Sequence, residues 1–194
     1  FLNADVIINS VMSLRNVTLF YWGQNRLMNF LPFLAGLFRD PVLNLYFILF
    51  VVAFAHYALL FFFARIAAAF SRSDHHECLD TKVFLVISLI FITITKERDI
   101  FLIAVWHVEY PLALLITLWV FWGVVTERLS FNWWFILSVP LMFIAMGLNY
   151  SIIILSGALV CAYLLYTKKV TQYVVAFAAI SVFSFNAFML MADQ

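Results

Sequence analysis

From Leu43 to Phe63 the chain runs for 21 almost wholly apolar residues, which at 1.5 Å per helical residue is enough to cross about 30 Å of hydrocarbon. In a bilayer core every backbone N–H and C=O must find its partner inside the protein, so only helices and closed barrels can span it. An unbroken apolar run, rather than an alternating one, selects the helix. Further runs follow. Val83–Thr95 has 13 residues bracketed by Lys82 and Lys96, whose apolar stems can snorkel to the interface. Ile100–Val108 and Leu112–Val125 flank His107-Val108-Glu109-Tyr110-Pro111. They form either one Pro-kinked span or a re-entrant segment followed by a span. Trp133–Leu148, Ile152–Tyr166 and Val170–Ala192 complete the series. The expected fold is all-α, a polytopic transmembrane bundle of about six spans over residues 41–194. Its short separators should make sequence neighbours antiparallel.

The 66% hydrophobic and 11% charged residues agree, since soluble domains are about 45–50% apolar and about 25% charged. A net charge of +1 without a basic run excludes nucleic acid as a partner. Cys78 and Cys161 make neither a disulfide framework nor a metal spacing. Asp74-His75-His76-Glu77-Cys78 has metal-ligand residue types, but adjacent histidines lack the i, i+4 spacing of a helical zinc site, and no metal site is expected. His56 and Asn186, alone within apolar runs, read as hydrogen-bonded packing residues. The sequence opens at Phe1 with no charged n-region, and a further span is expected upstream.

Residues 1–40 differ. After Asp5, an N-cap candidate, Val6, Ile7, Val11 and Leu14 follow a helical period, with Asn9, Ser10, Ser13 and Arg15 interleaved. A second patch, Leu27 to Phe38, is broken by Pro32 and Gly36 and closed by Arg39-Asp40-Pro41. Two short helices in the membrane interface are expected, each with one face in the headgroup region and the other in water. With this segment outward, the inward loops hold Arg65, Arg72, Lys82, Arg128, Lys168 and Lys169, against Arg15, Arg26, Arg39, Lys96 and Arg98 outside. Six basic residues against five favour that orientation by the positive-inside rule. Asn16-Val17-Thr18 and Asn149-Tyr150-Ser151 fit the glycosylation tripeptide and are read as coincidence.

Between the two amphipathic patches lies Phe20-Tyr21-Trp22-Gly23-Gln24-Asn25-Arg26. Aromatic faces stack on sugar rings, amides donate and accept, and Arg forks onto an anion, so Tyr21, Trp22, Gln24, Asn25 and Arg26 form a candidate sugar-phosphate surface. An interfacial belt, with Arg26 on lipid phosphate, is the plainer alternative. A second polar cluster comprises Lys96, Glu97, Arg98 and Asp99 with His107 and Glu109. The outward orientation puts both clusters on one side of the membrane. Glu109 is expected to face protein or water rather than lipid.

An acidic residue before a stretch bearing Tyr-Trp-Gly-Gln-Asn-Arg and then Leu31-Pro32 resembles membrane glycosyltransferases of the GT-C type. These multi-span enzymes use polyprenyl-phosphate-linked sugars. Asn3-Ala4-Asp5 matches the family's acidic position, Lys96–Glu109 falls where the next substrate-binding loop would, and Tyr110–Leu115 is similar to the start of a family span. The likeness covers about the first 120 residues. The sequence departs from the family in having no span before Asp5 and one acid there instead of a pair. The resemblance implies sugar transfer at the outer face of a bacterial inner membrane, with residues 1–40 in the periplasm. Asp5 would be the base, and Arg26, Lys96 and Arg98 would hold the departing phosphate. Tyr21 and Trp22 would pack on the sugar or the polyprenyl chain. No dedicated ligand set is visible for a divalent cation, which the reading leaves open. Two other readings stand beside it. One is a non-catalytic structural or assembly subunit whose 23 Phe pack against lipid and membrane-protein partners. The other is a small transporter with His107 and Glu109 as a proton relay, against which the lack of an inverted repeat counts.

Overall fold

The computed structural model describes residues 4–14, 30–70, 82–86, 88–89 and 109–192. All regular structure among them is helical. Two short helices, α1 (Ala4–Leu14) and α2 (Phe30–Ala35), precede the long α3 (Pro41–Phe70). After the helical residues 82–86 and 88–89 come α4 (Glu109–Thr126), α5 (Phe131–Leu148), α6 (Ile152–Thr167) and α7 (Gln172–Ala192). By length and composition α3, α5 and α7 can each cross a bilayer, and α4 and α6 are shorter apolar helices. This is a membrane protein.

The bundle sets small polar residues inside an apolar core and leaves large apolar side chains outside. Ser10, Ser13, Asn44, Thr117, Ser138, Ser156, Ser181 and Ser184 are buried, while Tyr46, Phe50, Phe54, Tyr57 and Phe61 form an exposed stripe along α3. Lipid is as apolar as Leu, so helices gain by close packing and internal hydrogen bonds, and large side chains can face outward. Three of these hydroxyls bond within their own helices: Thr117 to Ala113 O at 2.9 Å, Ser138 to Trp134 O at 2.6 Å, and Ser181 to Phe177 O at 2.8 Å.

α4 is the centre, with Ala113, Thr117, Leu118, Val120, Phe121 and Val124 all buried and packing against α3, α5, α6 and α7. The Phe121 ring meets Tyr163 of α6 at 6.4 Å and Phe177 of α7 at 5.4 Å. Where α4 meets α5, Trp134 donates its indole N–H to Val120 O at 3.1 Å. α3 and α4 run parallel, because Phe62 and Arg65 both reach Trp122 and Phe70 shares a cavity with Val125. Phe70 and Glu109 therefore stand at opposite ends of the bundle. Phe84, in the helical residues 82–86, packs on Phe61 at 6.1 Å.

The helix ends follow local chemistry. Asp40 caps α3 by accepting from the N–H of Val42 and Leu43, both at 2.9 Å, and Pro41 supplies the fixed φ of a first helical position. Glu127 (φ 48°) and Lys168 (φ 53°) adopt the left-handed conformation that stops α4 and α6, donating to Gly123 O and Leu164 O respectively. Thr171 opens α7, its hydroxyl oxygen accepting from Val174 N–H at 3.3 Å.

Two sequence expectations change. Arg65, placed in an inward loop by the sequence, lies within the first long helix, which continues through Ala67-Ala68-Ala69 to Phe70. These alanines favour helix, and the guanidinium rests 5.3 Å from the Phe61 ring centroid and 5.4 Å from that of Trp122. In α1 the apolar stripe of Ile7, Val11 and Leu14 faces out of the bundle, and the polar face is turned inward, with Ser10 and Ser13 buried. That polar face meets protein where water was expected. The choice between a kinked span and a re-entrant segment rests on residues 100–108, which lie outside the described residues.

Candidate functional site

The acidic position singled out in the sequence, Asp5, lies in the first turn of α1 and is described by its backbone alone. What fixes α1 is a polar knot centred on Asn44, near the start of α3. Asn44 is fully buried. Its amide nitrogen lies 2.6 Å from Ser13 Oγ in α1, 2.7 Å from Ala35 O at the end of α2 and 3.2 Å from Phe38 O. Ser13 donates its own proton to Ser10 O at 2.6 Å, so towards Asn44 its oxygen accepts. One amide thus ties three segments together. The close approach is helped by Gly36, where an added Cβ would stand 3.3 Å from Ser13 O. Below the knot Leu31 and Ala35 pack on Ile48 and Val52, all buried. Asn44 Oδ1 is buried and accepts no hydrogen bond among the described residues.

Tyr21, Trp22, Gln24, Asn25, Arg26, Lys96, Arg98 and His107 lie outside the described residues. Glu109 opens α4, with Pro111 in the first described turn, and only its backbone is described. The convergence expected of Asp5 and Arg26 thus falls outside the description. No group of three or more His, Cys, Asp or Glu suited to a metal ion occurs among the described residues. His56 accounts for its Nδ1 proton at Val52 O, 2.9 Å away. Asn186 is exposed and gives its amide to Val182 O at 2.8 Å on its own helix. Asn149 caps α5, its side-chain oxygen accepting from Ser151 N–H at 3.0 Å.

At the other end of α3 the structure forms a cavity that the sequence reading did not single out. It has a volume of about 360 Å³, and its lining includes Phe70, Glu127, Tyr163, Tyr166, Lys169 and Thr171. In the sequence Tyr163 and Tyr166 look like ordinary span residues, and Lys168-Lys169 a mere separator. Only the folding back of α6 onto the end of α3 brings Phe70 to Tyr163 (6.4 Å) and Tyr166 (5.2 Å). Arg128 reaches the Trp122 ring at 5.8 Å, beside Arg65. Among the described residues this end holds Arg65, Arg128, Lys168 and Lys169 against Glu127. The opposite end holds Arg39 and Asp40, with the backbones of Asp5 and Glu109. About 45 Å of helix, at 1.5 Å per residue over α3, separates the Asn44 knot's end from the cavity's. Compared with protein-family models, with curated proteins and with solved structures, the chain matches none.

Proposed function

We propose that the protein is a GT-C-like glycosyltransferase of the bacterial inner membrane, transferring a sugar from a polyprenyl-phosphate donor to an acceptor on the periplasmic face. The observation that supports this reading is the docking of α1, which carries Asp5, onto α2 and α3 through Asn44. A short helix held by buried hydrogen bonds can keep a catalytic carboxylate in place far better than a free interfacial strap. Asp5 takes the acceptor hydroxyl proton as the sugar carbon becomes cationic, and Arg26, Lys96 and Arg98 hold the departing phosphate oxygens. Tyr21 and Trp22 pack on the donor, and Gln24, Asn25, His107 and Glu109 supply its hydrogen bonds. In vesicles charged with polyprenyl-phosphate hexoses, Asp5→Asn abolishes release of the polyprenyl phosphate without changing insertion. Arg26→Ala mainly raises the donor concentration needed. A wild-type rate in Asp5→Asn removes Asp5 as the base.

A second reading, a non-catalytic assembly subunit, is favoured by the exposed stripe Tyr46, Phe50, Phe54, Tyr57 and Phe61, a surface suited to another membrane protein. Absence of transfer by the wild-type protein with every donor, together with stable capture of a partner through this stripe, selects it.

The orientation belongs to the same proposal. With the cluster of Arg65, Arg128, Lys168 and Lys169 inside, a cysteine at Ser130 in a cysteine-free protein stays protected from an impermeant maleimide in intact cells. One at Tyr150 is labelled. The reverse pattern inverts the topology and takes α1 out of the periplasm.

A further inference from the structure

We propose that the cavity at the basic end binds the headgroup of a zwitterionic phospholipid bearing a primary ammonium, the phosphatidylethanolamine class. The site is independent of the sugar-transfer proposal and lies at the other end of α3. Its volume, about 360 Å³, is at the lower end of ligand cavities, roughly 300–1,000 Å³. Three features choose the ligand. First, its lining carries one carboxylate and one ammonium, Glu127 and Lys169, and neither makes an ion pair among the described residues. They sit on different loops, each set by a left-handed residue, Glu127 itself and Lys168. Second, Tyr163 is only 5% exposed, yet its hydroxyl has no hydrogen-bond partner among the described residues. The ring is buried while the hydroxyl oxygen keeps solvent access, so its proton is free to be donated to an anion. Third, the cavity lies where α3, α4 and α6 end and α7 begins, near two guanidiniums on Trp122. That is the depth of lipid headgroups.

A phosphodiester takes the Lys169 ammonium and the Tyr163 hydroxyl. The headgroup ammonium gives its protons to Glu127, and the acyl chains leave along the apolar flank beside Phe70. A phosphatidylglycerol headgroup offers the Glu127 carboxylate only neutral hydroxyls, weaker partners than an ammonium. A trimethylammonium group has no proton to donate, so phosphatidylcholine is second best.

The test uses the whole protein in detergent, with thermal midpoint followed against added dioleoyl-phosphatidylethanolamine, phosphatidylcholine, phosphatidylglycerol and free O-phosphoethanolamine. Phosphatidylethanolamine is expected to stabilise saturably, at about fivefold lower concentration than phosphatidylcholine, the scale of one partly exposed ion pair. Glu127→Gln erases that preference, and Lys169→Met weakens both lipids. Both side chains are exposed, so the variants fold. Tyr163→Phe, which keeps the ring, weakens the phosphate contact as Lys169→Met does. Equal response to all three lipids, or a preference for phosphatidylglycerol that survives Glu127→Gln, overturns the proposal. Saturation by O-phosphoethanolamine at the same concentration as the lipid reassigns the site to a soluble ligand and also overturns it.

Discussion

Gly123→Ala costs the bundle about 1–3 kcal/mol of stability, and most of that loss vanishes when Trp134 is already alanine. A Cβ at position 123 would stand 2.5 Å from Trp134 Cδ1 and 2.6 Å from its Nε1, closer than unbonded atoms come. The indole has nowhere to go. It is 1% exposed and donates to Val120 O, and its rings meet Phe131 at 6.1 Å and Tyr173 at 5.3 Å. Tyr173 is itself pinned by its hydroxyl, which donates to Leu129 O at 2.8 Å. Either the ring gives up its hydrogen bond or α4 and α5 move apart. Trp134→Ala removes the ring that the new methyl would strike, so the two substitutions are strongly non-additive. Trp134→Ala alone opens a cavity and costs about 3–5 kcal/mol. Denaturant unfolding in micelles, run as the four-protein cycle, decides the matter. A Gly123→Ala midpoint equal to wild type, or costs that simply add, would show that α4 and α5 are not in such close contact.

That contact illustrates what the chain's order of residues can and cannot reveal. Apolar runs mark α3 to α7 plainly, because a bilayer-crossing helix must be apolar wherever it meets lipid. Pro32, Gly36 and Asp40-Pro41 mark the breaks around α2 for equally local reasons. The facing of a helix is another matter. The stripe of Ile7, Val11 and Leu14 defines a face of α1, but whether that face seeks protein or lipid depends on the solvent around the bundle. Lipid reverses the habit learned from water. The polar residues show the same division. Asn44, His56 and Asn186 are all lone polar groups in apolar runs, and the sequence reading dwelt on the last two. Asn44 alone meets other segments, since only it lies beside the ends of α1 and α2. The candidate reaction site was drawn from residue types on one predicted side of the membrane, and the stretch around Arg26 lies outside the described residues.

Asn44→Leu is expected to release α1 and α2 while α4 to α7 stay folded. Leucine is close in size but has no donor, so three hydrogen bonds disappear together. Their loss is unequal. Ser13 keeps its bond to Ser10 O, and Ala35 O keeps the N–H of Phe38 at 2.9 Å. Phe38 O is the group put most at risk. Two neutral bonds at about 1 kcal/mol each and one unsatisfied acceptor at about 1–3 kcal/mol give a local cost of about 3–5 kcal/mol. Asn44→Asp should be worse than leucine although it is nearly isosteric with asparagine. Its carboxylate would turn an acceptor towards the oxygens of Ala35, Phe38 and Ser13, and it would be charged in a buried place. Hydrogen exchange in α1 and α2 reads the effect directly, with protection lost there and kept around Phe121. Aspartate milder than leucine, or unchanged exchange in α1, would mean that the apolar contacts of Leu31 and Ala35 hold the segment without the knot. The same variant tests the proposed chemistry from a distance. If a docked α1 is what presents Asp5 to the acceptor, Asn44→Leu loses sugar transfer with Asp5 intact, and full transfer from a protein whose α1 exchanges freely would separate the knot from the reaction.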